Sequence, residues 1–124
     1  LNAEAENAKS VNLSVSGNYE TPLAFSVINT SGSTMNALTI RTKQERFTFS
    51  GLALASDETL TASYTEEDIL LLRIEGKDGA LRSAMGARTT DSDDDLLMDP
   101  GVNTVTIEAE KACTVKLTAR GRWL

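Results

Sequence analysis

The sequence contains no histidine, and this absence excludes the catalytic arrangements that depend on an imidazole. A Ser–His–Asp triad and a Cys–His pair both use histidine as the general base. The single cysteine, Cys113, cannot form an internal disulfide. Its position alternates with polar residues in step with Val115 and Leu117, which predicts a small core residue rather than a nucleophile. We therefore expect a protein that is not an enzyme and that uses no cofactor.

Positive charge and long apolar runs are also scarce. Twelve Lys and Arg face 18 Asp and Glu, for a net charge of −6 at pH 7. Nucleic acids and anionic membrane surfaces are not expected as partners, because both are bound through clustered Lys and Arg. No apolar run approaches the roughly 20 residues that a membrane-spanning helix needs. The first residue is Leu1 rather than Met, which suggests a processed chain or one domain of a longer protein.

Aromatic residues are few, with one Trp, two Tyr and three Phe. Carbohydrate-binding modules usually stack an exposed aromatic ring against the sugar. Tyr64 follows the inward alternation of Leu60 and Ala62, so it is predicted to lie in the core. Tyr19, in a predicted turn, and Trp123, near the end of the chain, are the remaining candidates for sugar stacking. This small set favours protein contacts and leaves sugar binding as the alternative.

What the sequence does contain is a repeated two-residue alternation of apolar and polar side chains. Its length of 124 residues suits one domain. Residues 1–10 have no apolar face and are expected to be a flexible lead-in, with a single domain over 11–124. Short strands separated by Gly, Asn and Asp predict an all-β, antiparallel β-sandwich or jelly roll. The predicted strands are 11–16, 23–28, 38–41, 47–50, 60–65, 69–74, 104–109 and 113–119.

The stretch from Ala80 to Asp99 breaks this alternation and is predicted to be a loop. It carries an acidic cluster made of Asp91, Asp93, Asp94, Asp95 and Asp99. The alternate aspartates match the first ligands of a calcium loop, but Leu96 and Val102 occupy the places of its glycine and its glutamate. A solvated acidic docking loop is the favoured interpretation, and a looser calcium site is the alternative. No pair of carboxylates is singled out for glycoside hydrolysis.

Pro100, Gly101 and Asn103 form a predicted turn before the last two strands. Proline fixes φ, and glycine adopts positive φ without steric strain. The side chain of Asn103 is expected to hydrogen-bond to the turn backbone. Such a turn sets the register of the strand that follows, so these residues are predicted to be architectural rather than catalytic.

Several segments carry a family resemblance in their order and spacing: GNYETP at 17–22, DETL at 57–60, LMDPGVNTV at 97–105 and ARGRWL at 119–124. The first three are similar to the "G-N-x-x-x-x-P", "G-E-T-L" and "L-x-P-G-x-N-x-V" segments of siphophage distal tail proteins. In this chain Asp57 stands in place of the glycine of "G-E-T-L". The last segment follows the final strand as it does in that family. The resemblance covers roughly residues 11–124.

The resemblance implies a fold and a function. Distal tail proteins form a ring, commonly a hexamer, that joins the tail tube to the tip or baseplate. Their C-terminal sandwich is similar to galectins and carbohydrate-binding modules, and this chain resembles that domain without the ring-forming half. The implied partners are other tail proteins, namely the tail tube, the tip or baseplate and receptor-binding proteins. The implied location is the virion tail, assembled in the bacterial cytoplasm.

Two functions follow as hypotheses. The first is a structural docking module of a phage or prophage tail tip, which binds its neighbours through an exposed strand edge or the loop from Ala80 to Asp99. The second is a carbohydrate-binding module that contacts the host cell surface.

Overall fold

The computed structural model describes residues 2–6, 10–15, 21–42, 45–65, 70–88, 97–98 and 100–118. Within these ranges the chain forms strands and one short 3₁₀ turn, Met85–Ala87. The strands are β1 (Asn2–Glu6), β2 (Ser10–Val15), β3 (Thr21–Pro22), β4 (Ala24–Asn29), β5 (Leu38–Arg41), β6 (Arg46–Phe49), β7 (Thr59–Tyr64), β8 (Leu70–Glu75), β9 (Leu81–Ser83), β10 (Leu97–Met98), β11 (Gly101–Ala109) and β12 (Cys113–Thr118).

Two antiparallel sheets pack together as a β-sandwich, which confirms the predicted fold class. The larger sheet has six strands in the order β1-β12-β4-β7-β8-β9, and the smaller has four in the order β2-β11-β5-β6. The short strands β10 and β3 form a separate pair. Consecutive strands β11 and β12 belong to different sheets, so the turn between them crosses from one layer to the other.

The core lies between the two sheets and follows directly from the alternation. Strands β4, β5 and β12 bury every second side chain, and most of their outward positions are Thr, Ser or charged residues. Phe25 of the large sheet and Phe47 of the small sheet meet with their ring centroids 6.3 Å apart, and Phe49 lies edge-on to Phe47 at 6.4 Å. Aromatic contacts of this kind add to the burial of apolar area. The contact between Phe25 and Phe47 joins the two layers.

Four expectations need correction. The lead-in was expected to be flexible, but Asn2–Glu6 form β1, which pairs along its whole length with β12. The alternation in the predicted strand 104–109 places Ala109 inward with Val105 and Ile107, but Ala109 is exposed even though it still pairs with Leu38 of β5. Tyr64 was expected in the core and is only half-buried, since it lies at the last position of β7. The irregular stretch after Ala80 contributes β9, the 3₁₀ turn and β10.

Candidate functional site

The sequence-predicted site residues divide into two groups. Tyr19, Trp123 and the five aspartates of the acidic cluster lie outside the described residues. Pro100, Gly101 and Asn103 lie within them, at the start of β11. Gly101 has φ of +104°, which disfavours any residue with a Cβ. Asn103 donates from Nδ2 to the carbonyl oxygen of Gly101 at 3.2 Å.

This turn positions the central strand of the small sheet. β11 is hydrogen-bonded on one side to β2 and on the other to β5. Because a shift of one residue would turn every side chain to the opposite face, the conformation at Gly101 fixes which residues of β11 enter the core. Val105 and Ile107 are buried as a result, and Val102 stands 73% exposed.

A second conformationally demanding segment precedes β7. Asp57 has φ of +67° and Ala53 has φ of +52°, a region that side-chain-bearing residues seldom adopt. The backbone N–H of Asp57 donates to the carbonyl oxygen of Asn29 at 2.8 Å, and that of Glu58 donates to Ala55 at 3.0 Å. These bonds hold the segment in a tight turn that leads into Thr59, the first residue of β7.

Glu58 anchors this turn to β9. Its carboxylate accepts two hydrogen bonds from the guanidinium of Arg82, at 2.8 and 2.9 Å, and one from the backbone N–H of Ala55 at 2.9 Å. Arg82 also donates to the carbonyl oxygen of Ala53 at 2.9 Å. The Arg82 hydrogen bonds, helped by that of Ala55, lower the pKa of Glu58 to about 2. The pair of Glu58 and Arg82 therefore ties the turn before β7 to β9.

Asn29 holds the same region from inside the protein. Its side chain is fully buried, and Nδ2 donates to the carbonyl oxygens of Ser33 at 2.7 Å and Leu54 at 2.8 Å. Its Oδ1 accepts from the backbone N–H and the hydroxyl of Ser31, at 3.0 and 2.7 Å. The predicted strand 23–28 stops one residue before Asn29. One feature of the sequence did indicate burial: Asn29 lies two residues after Val27 and four after Phe25, on the inward face of the strand.

A groove of about 880 Å³ borders the outer face of the small sheet. Its floor includes hydroxyls of Thr39 and Thr48, which face each other across β5 and β6. Arg41 and Glu108 form a salt bridge of 2.5 Å beside them, and both are about half exposed. The β11–β12 turn closes one end of the groove. Charged and hydroxyl groups of this kind can hydrogen-bond a hydroxyl-rich ligand.

A smaller groove of about 340 Å³ lies along β8 and β9. Its walls include Leu71, Leu81 and Met85, of which Leu81 is 62% and Met85 41% exposed. Arg73 lies in the same groove. Since β9 is at the edge of the large sheet, this groove combines exposed apolar side chains with a strand edge.

Burial raises the pKa of the Cys113 thiol through desolvation, which disfavours the nucleophilic thiolate. Among the described residues, no group of three or more Cys, Asp and Glu is arranged to hold a metal ion. In the same part of the chain, no helix has the length and apolar character to cross a membrane.

Comparison of the sequence with protein-family models and with curated proteins finds no match.

Proposed function

We propose that this chain is a structural docking module of a phage or prophage tail tip, of the distal-tail-protein type. It binds neighbouring tail proteins through its outer surface and carries out no catalysis. Its partners are the tail tube, the tip or baseplate and receptor-binding proteins, and its location is the virion tail. The β-sandwich and its polar outer faces are consistent with this role.

The proposal rests on the backbone conformation of Asp57. This residue stands where the "G-E-T-L" motif has glycine, and its φ of +67° is a conformation for which glycine is suited. The motif's next residue, Glu58, clamps the turn to Arg82, and its last residue, Leu60, is fully buried in β7. A physical reason therefore exists for each of these motif positions. This supports a relationship to distal tail proteins rather than a chance match of short motifs.

The turn at Gly101 gives independent support. A positive φ is found at the glycine of the "P-G-x-N" segment, and the asparagine hydrogen-bonds back to that glycine. Both motif segments thus serve to start strands β7 and β11. This is the architectural role that the turn chemistry of Pro100, Gly101 and Asn103 predicts.

The test is association with the proteins encoded beside this chain in a phage or prophage genome. The chain is co-expressed with each tail-tube, tip and receptor-binding protein, and complexes are measured by size-exclusion chromatography with light scattering. At least one stable complex is expected. An unrelated β-sandwich of equal net charge serves as the control. Failure to associate with any of these proteins contradicts the proposal.

The acidic cluster gives the association a salt dependence. Because the chain carries a net charge of −6, a basic partner surface is favoured, and added salt screens that attraction. Replacing Asp91, Asp93, Asp94 and Asp95 by Asn is expected to weaken binding at low salt and to flatten its salt dependence. Unchanged affinity and slope would show that these residues do not contact the partner.

A carbohydrate-binding function is the second candidate, and the groove beside Arg41 and Glu108 favours it. Hydroxyl and charged side chains on adjacent strands lie about 5 Å apart, which suits a chain of sugar hydroxyls. A glycan array on the wild-type chain and on the variants Arg41→Ala and Thr39→Val tests it. Binding that both variants lose would support a sugar site in this groove. No binding to bacterial cell-wall glycans would count against it.

A further inference from the structure

The free edge of β9 exposes backbone hydrogen-bonding groups in a defined register. Ala80 and Ala84 flank β9 and hydrogen-bond toward β8. The N–H of Gly76, the residue after β8, donates to the carbonyl oxygen of Ala80 at 2.8 Å, and the N–H of Ala84 donates to the carbonyl oxygen of Leu72 at 3.0 Å. In an antiparallel pair the direction of these bonds alternates along the strand. Leu81 and Ser83 therefore direct their N–H and C=O groups away from β8. Among the described strands, β9 has no second neighbour.

The side chains next to this edge are unequal in chemistry. Leu81 lies across from Glu75 and is 62% exposed, and Ser83 lies across from Arg73. These four side chains share the outer face of the sheet. A further strand added beside β9 would therefore meet one apolar position and one small polar position on that face.

Arg73 supplies a positive charge next to the small polar position at Ser83. Its cationic neighbours are already engaged, since Lys77 pairs with Asp57 at 3.3 Å and Arg82 with Glu58. Arg73 is exposed and makes no salt bridge with any described residue. A long guanidinium side chain can extend over the small Ser83 toward the next strand. The larger side chain of Leu81 prevents Glu75 from extending toward the added strand in the same way.

We propose that the β9 edge binds an extended segment of a partner protein by strand addition. In antiparallel pairing, the segment places a carboxylate opposite Ser83, within reach of Arg73, and an apolar side chain opposite Leu81. Read along the partner, this is an acidic residue followed two positions later by an apolar one. Backbone bonds supply affinity, and the two side chains supply specificity. The identification of the partner as a tail protein rests on the proposed function.

A second copy of this chain is a poor occupant of the same edge. Two antiparallel β9 strands centred on Arg82 would set Arg82 against Arg82 and Leu81 against Ser83. Like charges directly opposite are unfavourable, and no carboxylate would reach Arg73. The chemistry of the edge therefore favours a different protein segment.

The test tethers a peptide to the full chain, so that weak binding is still detected. The peptide TTDTLTT is fused to the C-terminus through about 30 Gly and Ser residues, and TTLTDTT is the matched control with the order reversed. Amide hydrogen exchange, followed by NMR, is expected to slow at least tenfold at Leu81 and Ser83 with the first peptide only. Equal protection by both peptides, or by neither, overturns the proposal.

Variants test the side-chain contribution. Leu81→Lys is expected to abolish the protection of the Ser83 amide, while Val102→Lys, at an exposed apolar residue of the other sheet, leaves it unchanged. Arg73→Glu is expected to reduce protection by TTDTLTT and to restore it with TTKTLTT, which a merely structural role of Arg73 would not do. Absence of this charge-swap rescue overturns the assigned contact.

The outcomes separate this inference from the proposed function. A chain that binds tail proteins equally well with Leu81→Lys docks through another surface, so the inference fails and the function stands. If the peptide protects the β9 edge but the chain associates with no tail protein, the inference stands and the proposed function fails. Protection that rises with concentration in the untethered chain identifies a second copy as the occupant and overturns the inference.

Discussion

Asn29 is the residue on which the loops at one end of the sandwich depend. A buried amide is stable only when its donors and acceptor are paired, and both ends of this side chain are used. It joins three separate parts of the chain: its own strand, the turn at Ser31 to Ser33, and Leu54. An apolar residue of equal size would leave the carbonyls of Ser33 and Leu54 without this donor.

Replacement of Asn29 by Ala is expected to lower the free energy of unfolding by about 3 kcal/mol, because the four hydrogen bonds of a buried amide side chain to Ser31, Ser33 and Leu54 are lost together. Asn29→Asp should be at least as damaging, since a carboxylate cannot donate to Ser33 or Leu54. Asn12→Ala, at an exposed asparagine, should change stability by no more than about 0.5 kcal/mol. Urea denaturation followed by circular dichroism measures all three. A mild Asn29→Asp would mean that packing, not hydrogen bonding, explains the site.

Glu58 makes stability depend on acid. Its pKa is lowered from 4.5 to about 2 in the folded protein, chiefly by the hydrogen bonds from Arg82. A lowered folded-state pKa stabilises the protein fully above the unfolded value, and this contribution disappears as pH falls from about 4.5 to about 2. Glu58→Gln is expected to lower the free energy of unfolding by about 2 kcal/mol at pH 7. The difference from wild type should shrink toward pH 2.

The control for this effect is Glu75→Gln, at an exposed glutamate on β8. Denaturation at a series of pH values from 7 to 2 compares the two variants with the wild type. A stability difference for Glu58→Gln that stays constant over this range would mean that its ionisation is not linked to folding.

Contacts between residues that are distant in the sequence could not be predicted from the sequence. The turn at Gly101 was foreseeable, because Pro-Gly and a following Asn each have strong local preferences. The contact between Glu58 and Arg82 spans 24 residues, and no local preference links them. Asn29 was missed because alternation identifies apolar inward positions, and a polar residue at such a position looks like the end of the strand.

At the scale of elements, long strands were predictable and short ones were not. Strands such as β4 and β12 bury three alternate side chains, so the period of two is visible in sequence. Strands of two or three residues, such as β3, β9 and β10, are too short to show a period. β1 was missed for another reason, since its Ala and Glu residues have low β-propensity and resemble a helix former. Its pairing with β12 overrides that preference.

Removal of residues 1–6 tests the contribution of β1. Five residue pairs join β1 to β12, and their loss exposes the backbone edge of β12. We expect the free energy of unfolding to fall by about 1–2 kcal/mol, because the net gain of each ladder hydrogen bond is partly offset by the entropy of ordering the strand. Thermal unfolding measures the loss. A variant with residues 2–6 replaced by Gly and Ser should lose a similar amount, whereas a flexible lead-in would predict no change in either.

At the scale of the molecule, sequence alternation left the assignment of strands to sheets open. β11 and β12 follow one another and show the same period, and a simple hairpin would satisfy both. The structure instead pairs β11 with β2 and β5, and β12 with β1 and β4. Two sheets built from interleaved strands cannot separate without breaking the core between them. The sandwich should therefore unfold as one cooperative unit.

Cys113 offers a probe of that cooperativity, because it is the single cysteine and is buried in the large sheet. Phe47 lies in the small sheet and contacts Phe25 across the core. Phe47→Ala is expected to cost about 3–5 kcal/mol. When opening is fast relative to labelling, each 1.4 kcal/mol accelerates thiol labelling about tenfold, so Cys113 should react at least about 100-fold faster. Val102→Ala should leave the rate unchanged. An unaltered rate in Phe47→Ala would mean that the two sheets open independently.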